Sequence, residues 1–169
     1  MSTVELFFAY FAVAMTTLSA LVISVKNPVH SILLMLVLFF HIAALYLFLN
    51  AEFLAAVQVI LYAGAILVLF LFVIMMLNLK EELISHRFIN EWPIGLALGV
   101  SIIIFIFFAI DKLKTNFKGT HTIEAIKAET NTKAVGKLLY TDYLLPFEIA
   151  SLILLIAIVG AIVLAKKER

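Results

Sequence analysis

Within the long apolar stretches of this chain, the side chains that could handle a proton or bind a polar ligand are Gln58, Tyr62, His30, His41 and Glu148. Ionisable and strongly polar groups are expensive in an apolar setting and mark functional positions by default. His30 and His41 lie 11 residues apart. On a helix they share a face but stand roughly 16 Å apart at 1.5 Å per residue, too far for one metal ion. A haem needs ligands from opposite faces. His30 therefore reads as an interfacial residue, and His41 as a neutral, hydrogen-bonded helix contact of the kind that glues apolar helices together. Glu148 follows Pro146 and is expected in the first turn of a helix. There it is either a carboxylate stabilised by the helix N-terminus or a proton-handling group.

Gln58, Tyr62, Ala65, Leu69, Phe72 and Met76 fall on one stripe at helical spacing. Tyr62-Ala63-Gly64-Ala65 sets a large hydroxyl-bearing ring beside three small residues. Gly64 weakens helix propensity by about 1 kcal/mol relative to Ala. Such a site suits a kink or a π-bulge, which often marks function. It suits equally a close-packing notch for a neighbouring helix.

The elements that must position these residues follow from composition. Of 169 residues, 65% are hydrophobic and 14% charged, against about 45–50% and about 25% in soluble domains. Mean hydropathy is +1.19. A soluble protein of this size could not bury so much apolar surface. A soluble enzyme, a disordered chain and a disulfide scaffold are thereby excluded. Cys is absent, so there is no disulfide, thiolate metal site or cysteine-ligated iron–sulfur cluster. A net charge of +1 gives no field suited to nucleic acid.

Five runs are long enough to cross a hydrocarbon core, which takes about 20 apolar residues. They are Leu6–Val25, Val29–Leu49, Phe53–Leu79, Trp92–Ile110 and Leu144–Ala165. The expected fold is an all-α integral membrane protein, residues 1–169 forming a single membrane domain. Barrel strands alternate polar and apolar residues, and these runs do not. The third run is over-long and must tilt, bend or protrude. The first is not expected to be a cleaved signal, since no Lys or Arg precedes it.

The connections Lys26-Asn27-Pro28 and Asn50-Ala51-Glu52 are short. Pro28 suits a first helical turn, and Asn50 an N-cap. A charged connection spans residues 80–91, and a polar one spans residues 111–143. Part of the latter, near Thr122–Ala128, suits an amphipathic surface helix. Gly95 and Gly99, and the alanines 157, 161 and 165, are packing notches. No P-loop, GxGxxG, HExxH or nucleophile elbow is present.

With these residues in view, the chain resembles subunit J of the proton-pumping NADH:quinone oxidoreductase, respiratory complex I. This family is the bacterial counterpart of the sixth mitochondrially encoded NADH dehydrogenase subunit. The resemblance rests on Asn27-Pro-Val-His30, on Tyr62-Ala-Gly-Ala-Ile-Leu-Val-Leu-Phe70 with Val73-Ile-Met-Met-Leu-Asn78, and on Leu145-Pro-Phe-Glu148 with Ala150-Ser151 and Val159-Gly160-Ala161. Ala134-Val-Gly136 and Tyr143 fit as well.

The resemblance implies a subunit of the membrane arm, near the quinone region and without a redox cofactor of its own. FMN, iron–sulfur clusters and quinone belong to the whole complex. It implies that the third helix switches between a π-bulge and a regular α-helix, helping to couple quinone reduction to proton translocation. By carry-over, Tyr62 is the polar pivot and Gly64 the flexible point. Val68 and Phe70 form an apolar gate, and Met75 packs beside it. Gln58 departs from many relatives, which carry a carboxylate there, and it cannot titrate. His41 departs too.

The implied partners are other membrane subunits, the lipid bilayer and the peripheral arm, the last through residues 80–91 with Glu81 and Glu82 at their root. Glu148 is a supporting residue. The alternatives are an equivalent subunit of a membrane-bound hydrogenase or antiporter-related complex, and a purely structural packing subunit. An independent transporter is disfavoured because the spans hold no charge pair.

Orientation follows from basic residues. Lys26, Lys80, Arg87, Lys166, Lys167 and Arg169 fall on one side, and the lysines at 112, 114, 118, 127, 133 and 137 on the other. Short connections near span ends weigh more, so the first set is expected in the cytoplasm and the N-terminus outside. The expected site is a bacterial cytoplasmic membrane. A reporter fused after Arg169 should be active only in the cytoplasm, and activity confined to the outside would refute this orientation.

Overall fold

The structure is a computed structural model describing residues 3–77, 92–112 and 129–166. Helix α1 is Thr3–Ser24 and α2 is Pro28–Phe48. The third span is continuous from Glu52 to Met76 but changes winding twice. It comprises α3 (Glu52–Val57), a π-helical segment (Gln58–Ile66) and α4 (Leu67–Met76). Helix α5 is Trp92–Lys112, α6 is Asn131–Tyr140 and α7 is Leu144–Ala165. Among the described residues there is no strand. Five helices of the described residues are long and apolar enough to cross a membrane, as expected.

Helix α2 lies between α1 and the third span and contacts both. Among the described residues, the buried ones are Ile32 and Ala43 on α2, and Ala55, Gln58, Ala63 and Leu67 on the third span. Three of the six are alanines, which let backbones approach closely. Against α1, Phe48 meets the rings of Phe7 and Phe11 at centroid distances of 5.8 and 6.3 Å. Among the described residues, α5 contacts no other helix and α7 contacts only α6. Gly95, Gly99 and Gly160 accordingly face open space in this chain.

A polar bridge joins α1 to α2. His41 Nδ1 lies 2.8 Å from the Val37 carbonyl, which can only accept, so this nitrogen carries the proton. In that tautomer Nε2 accepts from the Tyr10 hydroxyl at 3.3 Å. His41 is thus the helix-contact residue the sequence suggested. His30 is exposed. The hydroxyls of Thr16, Thr17 and Ser19 donate to carbonyls one turn earlier on α1, and Ser31 donates across to Val22. Hydroxyls without water are satisfied this way.

The two turns use asparagine differently. Asn27 caps α2, its Oδ1 accepting from the Val29 N–H at 2.9 Å, and Pro28 follows as the first helical residue. Asn50 is not the N-cap the sequence suggested. Its φ is 59°. It closes α2 instead: the Asn50 N–H bonds to the Leu47 carbonyl at 3.0 Å and the Ala51 N–H to the Tyr46 carbonyl at 2.8 Å. That is the Schellman pattern with asparagine in the left-handed position. The N-cap of α3 is then Ala51, which offers no side-chain bond. One residue cannot both terminate α2 in the left-handed region and cap α3 from the extended region.

Helix α6 was not anticipated. The expected surface helix at Thr122–Ala128 lies outside the described residues. Lys133 and Lys137 are exposed, while Ala134, Val135, Leu138 and Leu139 are half-buried, the pattern of a helix lying in an interface. It contacts α3 and α7. Its N-cap, Thr130, has φ 68° and ψ 140°, a region nearly confined to glycine that costs on the order of 1–3 kcal/mol.

Two outcomes follow for thermal unfolding in detergent. Asn50→Gly should be tolerated, whereas Asn50→Val should destabilise by about 1–2 kcal/mol because β-branching opposes the left-handed backbone. Tyr10→Phe should cost about 0.5–1 kcal/mol by removing an interhelical hydrogen bond. An Asn50→Val chain as stable as the parent would contradict the turn assignment.

Candidate functional site

The site is built around the π-helical segment. The Leu67 N–H reaches back to the Tyr62 carbonyl, five residues earlier, where an α-helix would use the fourth. That bond keeps the Leu67 N–H paired where the π-helical winding ends, as hydrocarbon requires of a span. Small residues 63–65 leave the wide turn uncrowded. A Cβ added at Gly64 would lie 3.4 Å from the Val59 carbonyl oxygen of the same segment, with no atom of another helix nearby. Among the described residues, no neighbouring helix therefore packs into a notch at Gly64.

The wide turn resets the register of the span. Continuous α-winding would keep Gln58, Tyr62, Ala65, Leu69, Phe72 and Met76 on one face. The face that is buried runs Ala55, Gln58, Ala63, Leu67. The step from Gln58 to Ala63 is five residues, matching the π repeat, and the next step of four returns to the α repeat. Tyr62, Leu69, Phe72 and Met76 are exposed by 45, 64, 64 and 69%. The uniform stripe is corrected on this ground: one extra residue in the wide turn shifts everything after it.

Gln58 opens the segment and is the one buried polar side chain among the described residues. The ring of Tyr62 meets Phe39 of α2 nearly edge to face, with centroids 5.7 Å apart and planes at 76°. Aromatic pairs favour that geometry. Phe39 was not singled out from the sequence. One aromatic among many on α2 gives no signal until the register is known.

Gln58, Tyr62 and Gly64 are thus brought together on one segment. Val68, Phe70 and Met75 follow on α4 and are exposed by 53, 55 and 63%, so they form no closed gate within this chain. Glu81 and Glu82 lie outside the described residues. Glu148 is separate, on α7. It is also not in the first turn: α7 starts at Leu144, making Glu148 its fifth residue. Pro146 fits within that first turn because N–H groups there have no helical acceptor to lose.

Other chemistry has little to work with. Among the described residues no group of three or more His, Asp or Glu could hold a metal ion. A groove of about 650 Å³ runs between α1 and α2, lined by residues including Leu6, Val13, Val37, Tyr10 and His41. It does not touch the π-helical segment.

Comparison with known proteins supplies the family. The family described as NADH-ubiquinone/plastoquinone oxidoreductase chain 6 matches residues 18–164. The chain is 38% identical to NADH-ubiquinone oxidoreductase chain 6 of Marchantia polymorpha, over 94% of this chain and 84% of that protein. It is 41% identical to NADH-quinone oxidoreductase subunit J of Rickettsia felis, over 97% of this chain and 81% of that one. NADH-ubiquinone oxidoreductase chain 6 of Chondrus crispus is 38% identical, over 98% of this chain and 85% of that protein. A family match over residues 18–164 and identities of 38–41% across nearly the whole chain place it in the NADH-ubiquinone/plastoquinone oxidoreductase chain 6 family.

Proposed function

We propose that this chain is a membrane-arm subunit of a proton-translocating NADH:quinone oxidoreductase, and that its π-helical segment is a two-state element coupling quinone reduction to proton movement. The observation that carries this reading is the winding of Gln58–Ile66. A π turn holds one residue more than an α turn. Relaxing it would rotate the downstream helix by about 100°, one residue's share of a 3.6-residue turn. Val68, Phe70 and Met75 would then present different faces to their surroundings. Apolar side chains that turn toward or away from a water path gate it by wetting and dewetting.

The chemistry remains with partners. Gln58 cannot titrate, and the chain has no cysteine to ligate a cluster. FMN, iron–sulfur clusters and quinone act in neighbouring subunits, and this chain responds to them conformationally. Two windings a few kcal/mol apart suffice, since a ligand shifts an equilibrium by its differential affinity for the two states. Residues 80–91, with Glu81 and Glu82, would face the peripheral arm, and Glu148 would support the last span. The protein would sit in the bacterial cytoplasmic membrane with its N-terminus outside and its C-terminus in the cytoplasm. The names of its relatives favour this reading over an equivalent hydrogenase or antiporter subunit.

Gly64 tests the switch. Replacing it with leucine adds about 1 kcal/mol of α-helical preference, a shift of about fivefold between windings. Gly64→Leu in the assembled complex should slow quinone reduction and proton pumping several-fold. NADH oxidation with an artificial electron acceptor should be unchanged. Wild-type turnover and pumping in this variant would overturn the proposal, as would loss of assembly with no change in turnover per assembled complex.

A further inference from the structure

The third span lacks a cap of its own. The first N–H groups of any helix have no acceptor within it. Ala51, at the N-cap, supplies none from its side chain, and Asn50 is held in the left-handed position that ends α2. The acceptor comes from 78 residues downstream: Asn131 Oδ1 takes the Phe53 N–H at 3.4 Å. Asn131 is the first residue of α6 and follows the strained Thr130. Backbone strain persists where the surroundings over-determine it, and it clusters at positions that must aim a group.

We propose that Asn131 is a positioning residue that clamps the N-terminal end of the third span, so that a change in winding is expressed at the other end. The proposal rests on the two-state reading of the π-helical segment. The two ends of the span are held unequally. Upstream, the Schellman turn ties α3 to α2, Ala55 and Gln58 are buried, and Asn131 closes the first turn. Helix α6 is itself fixed by its contacts with α3 and α7 and by its half-buried apolar face. Downstream, Leu67 is the one buried residue of α4. A helix that loses or gains a residue per turn must rotate one end against the other. The end with the clamp stays, and Leu67–Met76 turns. Without the clamp the rotation divides between the ends, and less of it reaches Val68, Phe70 and Met75.

This chain has no cysteine of its own, so a spin-label distance that appears in the assembled complex only when a cysteine pair is introduced here reports on this chain. One pair, Leu47→Cys with Leu54→Cys, reports the clamped end. A second, Leu33→Cys with Met76→Cys, reports the far end. Between oxidised complex and complex reduced by NADH, the second distance should change and the first should not. Asn131→Ala should broaden the first distance, its displaced population rising about twofold, as loss of one long, exposed hydrogen bond at the low end of the usual range gives. Protons pumped per NADH should fall while NADH oxidation by an artificial acceptor holds. Asn131→Asp keeps an acceptor oxygen and should restore both readouts. If the second pair responds to reduction but Asn131→Ala leaves the first pair and the pumping ratio unchanged, the clamp is refuted and the switch stands. If Asp and Ala variants are equally impaired, Asn131 is merely structural. If the second pair never responds in the unsubstituted complex, the two-state reading itself fails.

Discussion

Hydrocarbon offers no hydrogen bonds, so every backbone N–H and C=O in a span must find a partner within the protein. The rest of this structure depends on that constraint. It makes each apolar run a helix and leaves only the helix ends as places where the chain must improvise. Asn27 supplies a side-chain oxygen to open α2. Asn50 takes a left-handed conformation so that two amides can reach back to α2. Asn131 lends its amide oxygen across to α3. Three asparagines thus solve the end problem in three ways: at Asn27 and Asn131 the short side chain offers an acceptor oxygen, and at Asn50 it tolerates the left-handed backbone.

The same constraint explains why a π-helical winding is the admissible irregularity. A loop or an open kink in the middle of a span would strand polar groups, at several kcal/mol for each. A π turn moves its bonds one residue further back, so the N–H groups keep acceptors and a single carbonyl is skipped where α-winding resumes. Its consequence is positional. Each residue beyond it presents a different face than uniform winding would give. The buried row Ala55, Gln58, Ala63, Leu67 records that displacement.

Packing among the described residues is thin. Six of them are buried, all on α2 and the third span, and hold that pair together, and aromatic contacts with one tyrosine–histidine bridge add α1. Helix α5 touches no described neighbour. Such a layout fits a subunit whose remaining faces meet lipid and other chains, because apolar faces in a bilayer need no protein cover of their own.

Sequence by itself determined the five spans, their near boundaries and the unusual character of the third, because continuous apolar length is a local property. Gly64 beside Tyr62 marked the weak point, since glycine's low helix propensity needs no neighbour to act. The helix-contact role of His41 was legible because a polar ring in hydrocarbon must find a partner. Tertiary structure decided what depends on register and on distant chain. Which residues after Gln58 face α2 turns on one extra residue per turn, a cooperative choice of backbone bonding that no single side chain announces. Asn50 could equally have opened α3 or closed α2, and only the geometry of the hairpin chose. The bond from Asn131 to Phe53 spans 78 residues, and nothing local at either position marks its partner. Short-range physics writes the spans into the sequence, and the way the ends of those spans find one another is a property of the fold.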